Sequence, residues 1–411
     1  MARYALAEQA MNENHPLYEK MTTRQNGLYT RPQDVRSPFG RDANRILHST
    51  AYRRLKHKTQ VFFNVENDHI CTRIEHVAHV ESVSFAIASH LGLNTELTRA
   101  ISLGHDLGHA PFGHQGESNI NVLTKKYLGE SFWHEKNGVY RVDKLELLED
   151  SQRQCKNLNL TYATRDGILS HCGEVDENAL LPRDPSISLE QFTTPGAYSP
   201  ATWEGCVVKL SDKIAYLGRD IEDAIKLGFL CEAELKELDK LAQKFGMDAI
   251  NTSVIMHNMI MDVCEHSTPE SGICLSQAHL ELINEIKRFN YKHIYNNEKL
   301  GPFRKYSNLI IEELFSILAD SYDGENTLHK LIEKEKTHPL IAKEFGKWLA
   351  GYVSLDLSGL PYESTIKGRY INEKIYGTLS DEKTYFKAII DYLSGMTDGF
   401  AIRMFNELLS Y

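Results

Sequence analysis

Between His105 and Glu117 the chain reads His-Asp-Leu-Gly-His-Ala-Pro-Phe-Gly-His-Gln-Gly-Glu, which places three histidines and two carboxylates within thirteen positions. Gly108 and Pro111 stand in the middle, and both residue types end helices. The fold must therefore stop one helix and start another inside this stretch. The pattern before it predicts a helix over 94–107 with His105 and Asp106 at its end, His109 at the last turn, and His114 and Glu117 opening the next element. A helix-stop-helix of this kind turns all five side chains toward one polar cleft. Imidazole nitrogens and carboxylate oxygens are ligands for divalent cations, so a metal is the first hypothesis. The competing reading is a surface histidine cluster with capping carboxylates.

The 411 residues suffice for one large or two fused domains with a substantial core. The seven cysteines are scattered and contain no C-x-x-C pair, which excludes a zinc ribbon and predicts a reducing compartment. No run of about 18 apolar residues occurs, so the expected location is the cytoplasm, with no membrane partner. A net charge of -10 argues against nucleic acid as the main partner. Residues 31–60 nevertheless hold Arg31, Arg36, Arg41, Arg45, Arg53, Arg54, Lys56 and Lys58 against only Asp34 and Asp42, a local basic wall that suits an anionic small ligand.

Helical periodicity dominates the rest, and the expected fold class is all-α. Residues 1–35 read as a mobile or partner-docked arm, and 41–56 as a helix. Gln60 to Val65 read as a short strand or extended connector. The stretch 71–91 is a helix whose stripe is Ile74, Val77, Val80, Val83, Ile87 and Leu91, with Arg73 and His76 beside it. A helix is expected through Leu145, Leu147 and Leu148, and a shorter one over 166–171. Four prolines between 182 and 200 mark a flap or surface loop. From 202 to 227 the stripe Val207, Leu210, Ile214, Leu217, Ile221 and Ala224 predicts a long helix, which carries Asp212, Tyr216, Arg219 or Asp220, and Asp223 on another face. Further helices are expected over 233–245, 252–264, 275–287, 309–321, 328–335 and 384–409. No P-loop, G-x-G-x-x-G or nucleophile elbow is present, so a bound nucleotide needs another phosphate-holding device.

His76, His105-Asp106 and Asp212 reproduce the H…HD…D order of the HD-domain phosphohydrolases. The stretches 36–62, 105–117 and 210–223 are more specifically similar to the deoxyguanosine triphosphate triphosphohydrolase family. The likeness is strong over about 36–228, and looser at Asp391 to Asp398. The resemblance implies an HD-domain helical catalytic core over 36–230 and a helical accessory region over 231–411, with 384–409 packing back on the core. It implies a homo-oligomer, and a dNTP effector as a further partner.

The activity implied is hydrolysis of dGTP, with broader dNTP use as the alternative, to a deoxynucleoside and intact tripolyphosphate. On this resemblance His76, His105, Asp106 and Asp212 hold one divalent metal ion, which is Mn, Mg, Fe, Zn or Ni. His114 and Glu117 form the catalytic pair, and Gln60, Arg73, His109, His134, Lys213, Tyr216 and Asp220 contact phosphate, sugar or base. Tyr216 would stack beneath the deoxyribose and exclude a 2′-hydroxyl, while Gln60 and Asp220 would bind the 3′-hydroxyl. Competing readings are another HD hydrolase, such as a 5′-nucleotidase or phosphodiesterase, and an inactive nucleotide or single-stranded nucleic-acid sensor.

Overall fold

The computed structural model describes residues 3–28, 34–62, 67, 69–172 and 178–409. They form two compact units, each assembled from three stretches of chain. The first comprises Met1–Leu47, Glu66–Asp106 and Asn159–Gly301, and the second His48–Val65, Leu107–Leu158 and Pro302–Tyr411. Compactness thus divides the chain differently from the consecutive segments 1–35, 36–230 and 231–411. Helices make up almost all the regular structure. Among the described residues the strands are Leu147–Glu149 and Cys155–Asn157, an antiparallel pair with Leu148 opposite Lys156. No helix among them is long and apolar enough to cross a membrane.

The first unit is built around the helix Trp203–Lys226, started by Thr202, whose side chain accepts from the Gly205 amide at 3.1 Å. Its predicted stripe is buried throughout. The helices Arg73–Leu91, Thr95–Gly104, Tyr162–Ser170, Thr252–His266 and Gln277–Asn290 pack on it. Asn94 caps Thr95–Gly104 as expected, accepting from the amides of Glu96 and Leu97 at 3.0 and 3.1 Å. The described part of the N-terminal arm is docked on this unit. Leu6, Met11 and Met21 are buried, and the Met11 amide donates to Glu204 Oε1 at 2.9 Å. Burial of these apolar side chains is what removes the arm from solvent.

Residues 178–201 are irregular, apart from the 3-10 turn Leu189–Gln191, yet they are tied down. Arg183 pairs with buried Asp166 at 2.5 Å, Leu180 bridges Ile273, and the Ala201 amide donates to Asp166 Oδ2 at 2.7 Å. The prolines here mark a pinned loop. The basic wall is likewise partly consumed internally. Arg36 and Arg41 face Asp34, Arg54 pairs with Glu146, and Lys58 donates to the His109 carbonyl. Arg31 lies outside the described residues, as do 63–65 of the stretch 60–65; Gln60, Val61 and Phe62 are non-helical.

In the second unit the helix Gly113–Leu128 packs against Glu382–Ser394 over a core that includes Phe112, Ile120, Leu314, Phe345 and Ile389. The expected helix at 384–409 is two helices, Glu382–Ser394 and Asp398–Leu408, because Thr397 caps a new start by accepting from the Phe400 amide at 3.2 Å. The stretch 41–56 divides similarly: the Ser49 side chain accepts from the Tyr52 amide, so Pro38–His48 ends and Thr50–Arg54 begins. The helix predicted through Leu148 instead stops. His134–Tyr140 runs into a π-helical turn at Arg141–Leu145, the Leu145 carbonyl is taken by the Tyr352 hydroxyl, and Leu147 enters the hairpin. The helix Pro339–Ala350 was not anticipated.

Candidate active site

In the first unit, the start of one helix, the turn after a second and the middle of a third bring polar side chains together. His76 occupies the first turn of Arg73–Leu91, where Thr72 and Glu75 form a capping box with the Thr72 amide donating to Glu75 at 2.8 Å. His105 and Asp106 follow Thr95–Gly104 in the 3-10 turn His105–Gly108, and Asp212 projects from the middle of Trp203–Lys226. His76 Nε2 lies 2.9 Å from Asp212 Oδ1 and 3.4 Å from His105 Nε2, and His105 Nε2 lies 3.6 Å from Asp106 Oδ1. His105 Nδ1 is 2.7 Å from the Ser102 carbonyl. A carbonyl only accepts, so the proton is on Nδ1 and the Nε2 lone pair faces the other donors.

Charge in this cluster is set by its own members. Burial by itself would raise the Asp212 pKa, but the hydrogen bond from His76 and the charges of His105, His76 and His171 hold it well below the usual carboxylate range. For His76, burial acts downward and is outweighed by Asp212 and Asp106, so its pKa is raised. His76, His105 and Asp212 bring their ligand atoms within 4.8 Å of one another and fit a divalent cation, with Asp106 Oδ1, 3.6 Å from His105 Nε2, as a fourth donor beside them. Arg73, 1 % exposed, donates to Asp106 Oδ2 at 3.0 Å, while its Nε and Nη2 are buried without a partner among the described residues. Those two donors suit an anionic oxygen.

Lys213 is buried next to Asp212, and Tyr216 is partly exposed one turn on. Asp220 is buried and accepts from the Tyr295 hydroxyl at 2.5 Å. Burial pushes the Asp220 carboxyl up to about 7, against the lowering effect of that bond. Asp223, expected on the same polar face, serves the fold instead: its Oδ2 accepts from the Cys71 amide at 2.9 Å. Sequence reading passed over Tyr295, which gives no local sign of its partner. It also passed over His171, whose ring stands edge-on to His105 at 5.1 Å and whose Nδ1 donates to the Ile168 carbonyl at 2.7 Å. A histidine directly after a helix and before Gly173, as His105 precedes Gly108, was the available signal.

In the second unit, Glu117 is the centre of a separate cluster. Its carboxylate accepts from the His134 amide at 2.9 Å, lies 3.2 Å from His134 Nδ1, and lies 3.5 Å from His109 Nδ1. The His109 and His134 rings stack at 3.7 Å. Burial would raise the Glu117 pKa, yet the charge of His134 and the bonds from His109 and His134 hold it well below the usual range. His134 begins the helix His134–Tyr140, so the carboxylate also serves that helix start. His114, in the first turn of Gly113–Leu128, is exposed, with its ring 6.2 Å from that of His109.

The loop leading to His114 is held by Asp398, which sequence reading did not single out. Its carboxylate accepts from the Phe112 amide at 2.9 Å and from the Thr59 amide and hydroxyl at 3.1 and 2.8 Å. Gly113 has φ +58, and a Cβ there would sit 2.7 Å from the Gln60 carbonyl, so the glycine is required. Gln60 itself has a buried Oε1 without a partner among the described residues.

The HD domain family profile matches residues 73–217, a span that contains all four proposed metal ligands. A deoxyguanosinetriphosphate triphosphohydrolase-like protein of Caldanaerobacter subterraneus subsp. tengcongensis is 33 % identical over 377 residues, covering 91 % of this chain and 86 % of that protein. Proteins described in the same words from Rickettsia rickettsii and Nitrosomonas europaea are 31 % and 30 % identical, over 92 % and 91 % of this chain and 93 % and 92 % of theirs. With likeness over nearly its whole length, this chain belongs to the deoxyguanosinetriphosphate triphosphohydrolase-like family of HD-domain phosphohydrolases.

Proposed function

We propose that the protein hydrolyses dGTP, and other dNTPs as further substrates, to the deoxynucleoside and tripolyphosphate. The observation that carries this reading is the group His76, His105 and Asp212, with Asp106 beside it, next to Arg73, a buried guanidinium with two nitrogens unpartnered among the described residues. A divalent cation held there supplies Lewis acidity toward a phosphate oxygen. Arg73 and Lys213 offset charge that builds on the phosphoryl oxygens. His114 delivers a proton to the departing 5′-oxygen, while Glu117 orients His134 and His109 through their Nδ1 atoms. Tyr216 packs against the sugar. Asp220, joined to Tyr295, receives the 3′-hydroxyl.

The decisive experiment incubates the purified protein with each dNTP and each of Mn, Mg, Fe, Zn and Ni, and resolves tripolyphosphate from pyrophosphate and phosphate. Tripolyphosphate as the first product supports the reading. Pyrophosphate or single phosphate as the first product overturns it in favour of another HD hydrolase.

A further inference from the structure

The second unit contains an open cavity of about 520 Å³ lined by none of the candidate active-site residues. Its walls include Arg54, Arg141, Lys347, Trp348, Tyr392 and Gly395. Three carboxylates also line it, Glu146, Glu344 and Asp391, so the lining is formally balanced. The pairing is not balanced. Glu146 is saturated by the Thr50 hydroxyl at 2.6 Å, the Ala51 amide at 2.8 Å and Arg54. Asp391 is taken by the Tyr376 hydroxyl at 2.8 Å and by Lys387. Glu344 and Lys347 stand one helical turn apart and offset each other in charge.

That leaves Arg141. It is 3 % exposed and makes no ion pair among the described residues. Its Nη2 donates to two neutral oxygens, the Asp391 carbonyl and Ser394 Oγ, each at 2.8 Å, and its Nε is buried without a partner. Burial draws its pKa down to about 10, which still leaves it charged at neutral pH. A Cβ on Gly395 would lie 2.7 Å from both Nη1 and Nη2, so only a residue without a side chain keeps that side of the guanidinium clear. The Glu146 and Asp391 carboxylates are close enough to act on its charge, but each is engaged with other donors and neither contacts the guanidinium, so a buried cation here gains from a ligand that brings its anion into contact. Beside it, the Trp348 and Tyr392 rings lie 5.2 Å apart at 45°, an apolar wall for a flat group.

We propose that this cavity binds a small anion carried on a flat ring, with Arg141 holding the anionic group and Trp348 and Tyr392 contacting the ring. A nucleoside monophosphate and an aromatic carboxylate share that chemistry. The full-length protein is titrated with deoxyadenosine monophosphate, 4-hydroxybenzoate and inorganic phosphate, while tryptophan fluorescence and binding heat are followed. The expected result is a saturable quench by at least one ring-bearing anion, lost in Trp348→Phe, with affinity weakened about tenfold or more in Arg141→Gln. Lys347→Glu, at an exposed position, should weaken it roughly threefold and serves if Arg141→Gln does not fold. Binding of the monophosphate alone assigns a phosphate ligand, and binding of the benzoate alone a carboxylate ligand. The proposal fails if neither ring-bearing anion binds, if phosphate alone binds as tightly as they do, or if affinity is unchanged in the foldable variants.

Discussion

The two histidine–carboxylate clusters are made of the same residue types and built in opposite ways. In the first unit the donors come from three separate helices and from positions as distant as His76 and Asp212, and their geometry depends on the packing of those helices. In the second unit His109, His114, Glu117 and His134 come from one short stretch, and Glu117 fastens two of the imidazoles directly. The first arrangement leaves lone pairs converging on a common point, with Arg73 neutralising one carboxylate. In both a carboxylate reaches an imidazole, Asp212 at 2.9 Å from His76 Nε2 and Glu117 at 3.2 Å from His134 Nδ1, but Glu117 also takes the His134 amide. Both groups bring two imidazoles and a carboxylate within reach of one ion, and it is the proposed function that gives the cation to the first, which has buried Arg73 beside it, and proton handling to the second.

The largest effect that could break this contrast is expected at the first cluster. His105→Ala or Asp106→Ala should lower turnover by roughly a thousandfold or more and abolish metal retention together, since each removes one of four ligands. Metal content by mass spectrometry beside the turnover assay checks this, and a variant with full metal and normal rate would erase the distinction. At the second cluster, His114→Ala should cost roughly 100-fold in turnover with metal content intact. Glu117→Gln should behave likewise, through loss of the anchor for His134. If either variant loses the metal, the clusters are not functionally separate.

Two smaller effects sharpen the role of the first unit. Wild type is expected to prefer dGTP over GTP by about 100-fold in kcat/KM, with Tyr216→Ala narrowing the ratio roughly tenfold. Equal wild-type values for the two nucleotides would remove Tyr216 from sugar selection. Asp220 allows a pH test of burial. Its folded pKa of about 7 stands above the unfolded value, so folding loses stability as pH rises from near 4 toward 7, while the unfolded chain alone gives up its proton. Asp220→Asn should therefore raise Tm at pH 8 by roughly 2 °C or more and flatten that slope. An unchanged profile would mean that Asp220 ionises freely.

Long amphipathic helices were readable because their stripes repeat over several turns. The Trp203–Lys226 stripe and the Asn94 cap are direct products of local sequence. The breaks were less readable. Ser49, Thr397 and the turn at Arg141–Leu145 interrupt patterns that continue through them, and the last is stopped by Tyr352, far away in sequence. In the candidate site the motif residues are legible from the family resemblance. The partners that orient them are not, because Tyr295 reaches Asp220 and Asp398 reaches Phe112 across 75 and 286 positions. The flap expected at 174–201 shows the same limit. Residues 174–177 lie outside the described residues; over 178–201 prolines announce the irregular backbone, but only the fold reveals that Arg183 and Asp166 hold it.

Glu204 carries one more consequence, for how the chain is made. Its buried carboxylate receives the amides of both Met11 and Asn94, so the segment at Met11 is anchored to a residue synthesised 193 positions later. Throughout that interval on the ribosome Leu6, Met11 and Met21 lack the surface that later covers them, a window for chaperone contact or premature association. A fusion partner at the amino terminus prolongs the window if it hinders docking. Yield of folded protein should then depend on which end carries the tag.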